Sequence, residues 1–122
     1  MTTGWKLSPL QRGELLGRYP PRYANAVADH VTLLANDKGG AYADTPRPVT
    51  TAKVVGRADD GVGVEALVVE INGSTHRPDG GTWHITWSLA DGRRARESND
   101  VIASAGFTPL DGDNLDLTPA RW

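Results

Sequence analysis

Two of the three histidines in this chain stand in the same four-residue pattern. The pattern is a histidine, an apolar residue, a threonine and a second apolar residue, and it occurs at 30–33 and at 84–87. In an extended strand the side chains alternate between two faces, so the histidine and the threonine of each copy point the same way. The sequence therefore predicts two strands that each bury two apolar side chains and present an imidazole beside a hydroxyl.

The four polar side chains of the two copies are His30, Thr32, His84 and Thr86. In-line displacement at a phosphodiester needs a base beside the nucleophile and an acid beside the leaving oxygen. Histidine can fill either role because its unperturbed pKa lies near neutrality. Hydroxyl groups can donate hydrogen bonds to the non-bridging phosphate oxygens. The pattern thus favours phosphoester chemistry in which no metal ion and no other cofactor is needed.

The paired strings resemble the signature of the two-histidine (2H) phosphoesterase superfamily. Within it, the chain is most similar to the cyclic phosphodiesterase domain of plant-type tRNA ligases. There too a His-Val-Thr-Leu string precedes a loop, a β-hairpin, a second His-x-Thr string and a short helix start, here Glu97-Ser98-Asn99. The likeness covers roughly residues 24–103.

This resemblance implies that His30 and His84 act as base and acid, without indicating which is which, and that Thr32 and Thr86 bind phosphate. It also implies two small antiparallel β lobes with flanking short helices, related by a pseudo-twofold axis, with the site in the cleft between them. The chain is shorter than most members of the superfamily, which favours a reduced lobe and a more open cleft.

The rest of the chain is typical of an α+β domain. Ser8 followed by Pro9 predicts the start of a helix over 8–18, because serine caps helix N-termini and proline fits the first helical position. We expect strands at 26–34, 49–57, 62–71 and 82–89, a hairpin turn at 58–61, a helix over 99–105 capped by Ser98, and a short strand at 115–118. This order of elements predicts a mostly antiparallel sheet with flanking helices.

Composition limits the classes of protein to which the chain can belong. Its 122 residues suit one domain, residues 1–122. The absence of cysteine excludes disulfide frameworks and cysteine nucleophiles. A formal net charge of −2 argues against a broad groove that follows a nucleic-acid backbone. No apolar run suggests a membrane span or a signal peptide, so we expect a cytoplasmic protein.

Further contacts with a substrate are expected from loops. Lys38 and Tyr42 follow the first histidine string, and Arg94 follows the second. A cation could meet a phosphate there, and an aromatic ring could stack on a base. His76, in a loop rich in glycine and proline, is expected to be solvated.

A metal site built on His30 and His84 would need a further ligand such as a carboxylate. Asp29 adjoins His30, but strand alternation predicts that it points to the opposite face. The His-x-His and His-x₃-His spacings of many metal sites do not occur either. The residues therefore favour acid–base catalysis without a metal.

Taken together, the sequence predicts an enzyme that opens a 2′,3′-cyclic phosphate at an RNA 3′-end or on a small nucleotide. No obligatory protein partner and no membrane association are expected. Two alternatives stay open at this point: a phosphodiesterase that degrades a cyclic oligonucleotide signal, and a non-catalytic module that binds a nucleotide or an RNA end.

Overall fold

A computed structural model describes residues 1–35 and 45–122. Within these residues the chain forms two antiparallel β-sheets and two α-helices, so the expected α+β class is confirmed. In chain order the elements are β1 Thr3–Leu7, α1 Pro9–Arg18, β2 Asn25–Ala26, β3 His30–Leu34, β4 Ala52–Asp59, β5 Val64–Ile71, β6 His84–Leu89, α2 Glu97–Ala105, β7 Thr108–Pro109 and β8 Leu117–Arg121.

The smaller sheet has three strands in the order β3-β1-β8, and the larger has five in the order β2-β6-β5-β4-β7. Each histidine string lies on a different sheet, the first on β3 and the second on β6. The longest pairing is the β4–β5 hairpin, which agrees with the two predicted Val-rich strands. The turn predicted at 58–61 is wrong in its position, because Ala58 and Asp59 still pair with β5. Neither helix in the described residues is long and apolar enough to cross a membrane.

One apolar core joins the two sheets. It contains Val31 and Leu33 from the first string and Ile85 and Trp87 from the second, as strand alternation predicts. Because these four side chains are buried between the sheets, their strands are fixed against each other. The polar residues of the same strands are thereby held in a defined relative position.

The prediction of a single strand over 26–34 is wrong, because the chain passes from the larger sheet to the smaller one within this segment. The main-chain N–H groups of Val27 and Ala28 donate to carbonyls of β6, whereas the carbonyl of Asp29 accepts from Leu7 of β1. Ala28 has a φ of +46° and is fully buried. The chain therefore bends at Ala28, and strict alternation of side chains does not extend from β2 into β3.

Strand β1 was not predicted, although it is the central strand of the smaller sheet. Its five residues are Thr-Gly-Trp-Lys-Leu, a short segment interrupted by Gly4. A Cβ at Gly4 would lie 2.2 Å from the carbonyl oxygen of Val31. Glycine is therefore required where β1 and β3 approach each other closely.

Serine caps one of the helices but not the other. Ser8 caps α1 as predicted, and its hydroxyl accepts a hydrogen bond from the main chain of Gln11. In α2 the capping position is Arg96, which makes no side-chain cap, so the prediction that Ser98 caps this helix is wrong. Ser98 lies inside the first turn, and its side chain is buried against β6.

Candidate functional site

The two histidine strings meet at one cleft, where β3 of the smaller sheet approaches β6 of the larger. The cleft has a volume of about 270 Å³, and its lining includes His30, Thr32, His84 and Thr86. The other polar and aromatic side chains around it are Thr2, Arg77, Asp79, Arg96, Asn99 and Trp122. Folding thus brings together the four residues that the paired pattern singles out.

His30 is the more exposed histidine of the pair, with 24% of its side chain accessible. Its Nδ1 lies 3.0 Å from Oδ2 of Asp29, and the same carboxylate accepts a hydrogen bond from Nζ of Lys6 at 2.5 Å. The ring also packs edge-on against Trp122, with the ring centroids 4.6 Å apart. Burial lowers the pKa of His30 from its ordinary value, and the Asp29 carboxylate opposes that shift.

The expectation that Asp29 points away from His30 is wrong. It assumes a continuous strand through both residues, whereas β3 begins at His30 and the bend at Ala28 precedes it. The pKa of the Asp29 carboxyl is lowered because hydrogen bonds from Lys6 and His30 outweigh the opposing effect of burial. Asp29 is therefore ionised at neutral pH, and Nδ1 of His30 is the hydrogen-bond donor.

His84 is held differently. Only 8% of the residue is exposed, and its Nδ1 lies 2.8 Å from the main-chain oxygen of Thr82. A carbonyl can only accept, so Nδ1 carries a hydrogen and Nε2 of the neutral ring keeps its lone pair. Burial lowers the pKa of His84, and the positive charges of Arg77 and His30 lower it further.

Thr86 is anchored by the first turn of α2. Its Oγ1 lies 2.9 Å from Oγ of Ser98 and 3.2 Å from the carbonyl oxygen of Ala95. Thr32, the corresponding residue on β3, is half-buried and lines the same cleft. The two strings therefore contribute one threonine from each sheet to the lining of the cleft.

Sequence reasoning did not predict Arg77 as a site residue. Its side chain is 9% exposed, although it comes from the loop between β5 and β6. Nε donates to Asp79 at 2.8 Å, and Nη2 donates to the side-chain oxygen of Asn99 on α2 at 3.0 Å. These bonds hold a guanidinium in the cleft near His84. The only signal in the sequence was a basic residue in the polar loop that leads into the second string.

The structure does not bring every predicted contact to the cleft. Arg94 is exposed and does not line it, whereas Arg96, two residues further on, does. His76 is exposed, as expected. Lys38 and Tyr42 lie outside the described residues.

Among residues 1–35 and 45–122, there is no group of three or more histidine, cysteine, aspartate or glutamate side chains arranged to hold a metal ion. The residues that line the cavity include two histidines, three threonines and two arginines. These groups can transfer protons at two positions and neutralise an oxyanion between them.

Comparisons of the chain with protein-family models, with curated protein sequences and with solved structures found no significant match. The function is therefore inferred from the site itself and from the pattern of residues that forms it.

Proposed function

We propose that this protein is a metal-independent phosphodiesterase of the two-histidine type, which opens a 2′,3′-cyclic phosphate at an RNA 3′-end or on a small nucleotide. One observation carries the proposal. Two copies of the same pattern, on strands of different sheets, place both imidazoles and both hydroxyls around one cleft. The hydrophobic core alone does not require matching polar residues on the two strands.

The reaction would use the two imidazoles as a pair. A neutral imidazole accepts a proton from water as the water oxygen bonds to phosphorus. The bond from phosphorus to one ribose oxygen breaks, and the second imidazole, initially protonated, gives its proton to that oxygen. The product is a ribose phosphomonoester with one free hydroxyl. Nδ1 of His30 is engaged by the Asp29 carboxylate, and Nδ1 of His84 is engaged by the main-chain oxygen of Thr82. In each ring Nε2 is therefore the atom that would exchange the proton.

Two hydroxyls and a guanidinium would bind the charged phosphate. The hydroxyls of Thr32 and Thr86 are suited to donate to its non-bridging oxygens, and Arg77 supplies a positive charge on the same cavity. Hydrogen bonds between charged partners are shorter and stronger than those between neutral ones. A cavity of about 270 Å³ is small for a ligand site, which suits one nucleotide better than a long strand.

We further propose the fold that the resemblance implies, in which the two sheets are related lobes around the site. Under it, the three-stranded sheet is the reduced lobe and the five-stranded sheet is the larger one. We also propose the cytoplasmic location and the nucleotide or RNA-end substrate that the sequence suggests. The net charge of −2 favours a small ligand over long RNA.

The test is incubation of the purified protein with the four 2′,3′-cyclic nucleotides in EDTA, with products separated by chromatography. EDTA-resistant conversion to a phosphomonoester would support the proposal, and the product isomer would identify the ribose oxygen that leaves. Turnover of cyclic oligonucleotides alone would favour a role in ending a nucleotide signal. Tight binding of a cyclic nucleotide with no product after long incubation would indicate a binding module and overturn the catalytic proposal.

A further inference from the structure

The two histidines of the cleft have unequal partners. Nδ1 of His30 faces the carboxylate of Asp29, whereas Nδ1 of His84 faces the main-chain carbonyl of Thr82. A carboxylate carries a full negative charge, so it stabilises an imidazolium more than a carbonyl dipole does. His84 is also the more buried ring, and burial disfavours its charged form.

The Asp29 carboxylate is itself held in place. Lys6 reaches it from the neighbouring strand β1, and both Lys6 and His30 bond the same oxygen, Oδ2. The Lys6 ammonium lies 4.4 Å from the ring centroid of Trp122, which packs edge-on against His30. The carboxylate thus has contacts that restrict both its own rotation and that of the His30 ring.

We propose that Asp29 is a positioning residue that acts through His30: it fixes the tautomer with hydrogen on Nδ1 and makes His30 the member of the pair that carries the first proton. This inference depends on the proposed function for its catalytic meaning. His30 would then be the acid that protonates the leaving ribose oxygen, and His84 the base that takes a proton from water. After the reaction the proton has moved to His84, and exchange with solvent restores the starting state.

Two other charges around the pair oppose this order: Lys6 disfavours a positive charge on His30, and Asp79 favours one on His84. Lys6 and His84 face His30 besides Asp29, and the rest of the cleft contributes Arg77, Asp79 and Arg96. Arg77 lies near His84 and disfavours a positive charge there. Asp79, the acidic residue on that side, is engaged by Arg77.

The test uses two substitutions that are expected to shift the pKa of His30 in opposite directions. In Asp29→Asn the carboxylate charge is lost, so the pKa of His30 should fall. In Lys6→Met a nearby positive charge is lost and Asp29 is left to His30 alone, so the pKa of His30 should rise. Nitrogen-15 NMR of the substrate-free protein, titrated with acid, reports the pKa and the tautomer of each histidine. Asp111→Asn, which breaks an exposed lysine–aspartate pair with Lys53, is the matched control and should leave both rings unchanged.

In the wild-type protein, His30 should titrate at higher pH than His84 and carry hydrogen on Nδ1 when neutral. With a 2′,3′-cyclic nucleotide, Asp29→Asn should lower kcat on the order of 10- to 100-fold with little change in KM, because proton transfer and not binding is impaired. The alkaline limb of its pH–rate profile should move to lower pH.

The inference is overturned if His84 titrates above His30, or if both substitutions move the pKa of His30 in the same direction, as mere loosening of the site would do. Should Asp29→Asn fail to fold, the order in which the two wild-type histidines titrate and the pKa shift of His30 in Lys6→Met still test the inference. The titrations need no substrate. A protein without turnover would therefore contradict the proposed function while leaving the order of protonation measurable.

Discussion

The hydroxyl oxygens of Thr86 and Ser98 lie 2.9 Å apart, and Ser98 is 0% exposed. Thr86 belongs to β6 and Ser98 to the first turn of α2, so this contact ties the helix to the strand that carries the second histidine. A threonine hydroxyl has one proton to donate. If Ser98 donates to Thr86, the Thr86 proton is available to the Ala95 carbonyl or, when a ligand is bound, to a phosphate oxygen.

Removing the hydroxyl of Thr32, Thr86 or Ser98 should weaken phosphate binding in the transition state. We expect Thr86→Ala and Thr32→Ala each to lower kcat/KM by roughly 10- to 1000-fold, since each loses a hydrogen bond to a charged oxygen. Ser98→Ala should cost about 2- to 10-fold, because one net hydrogen bond is worth about 1 kcal/mol. Steady-state kinetics with a cyclic nucleotide measures all three. Ser104→Ala, on the exposed side of the same helix, is the control; unchanged kcat/KM in Thr86→Ala would refute this role.

Arg77 is expected to contribute to substrate binding. Arg77→Met should raise KM by roughly 10- to 100-fold, because a hydrogen bond to a charged group is worth about 1.5–3 kcal/mol. Arg94→Met should change KM less than about twofold, since that side chain is exposed and outside the cleft. Equal effects of the two substitutions would mean that bulk charge, and not a defined contact, attracts the substrate.

The sequence predicts those site residues that local strand geometry positions, and it misses those that depend on contacts between distant parts of the chain. The four residues of the two strings follow from strand alternation, a local rule, and the structure places all four on one cleft. Arg77 could not be found in this way, because a loop must fold back and bond Asn99 on another element before its guanidinium reaches the cavity. Asp29 was misplaced because the rule fails at Ala28, whose positive φ ends the alternation.

The pH dependence of activity should reflect two histidines whose pKa values are both lowered by burial. Turnover needs one ring neutral and one protonated, so kcat/KM should fall at both low and high pH. Since both shifts are downward from the ordinary value of 6.5, the alkaline limb should begin on the acid side of that value. The measurement is kcat/KM from about pH 4 to about pH 9, in steps of about half a pH unit. A profile that rises steadily across the range would exclude acid–base pairing of the two rings.

The bend between the sheets makes a prediction about stability. Ala28 combines a positive φ with complete burial, and a β-branched side chain suits neither. We expect Ala28→Val to lower the free energy of unfolding by about 1–3 kcal/mol. Ala26→Val, at an exposed position of β2, should change it by less than about 0.5 kcal/mol. Denaturant unfolding compares the two, and equal stabilities would show that the bend tolerates branching.

The measurement that tests the central claim most directly is turnover of 2′,3′-cyclic nucleotides in EDTA by the wild-type protein, His30→Ala, His84→Ala and the double variant. We predict turnover by the wild type, near-complete loss in either single variant, and a double variant little worse than each, because acid and base act as a unit. His76→Ala, which alters an exposed histidine of the loop, should retain full activity. Full activity in a folded His30→Ala or His84→Ala protein would contradict the account.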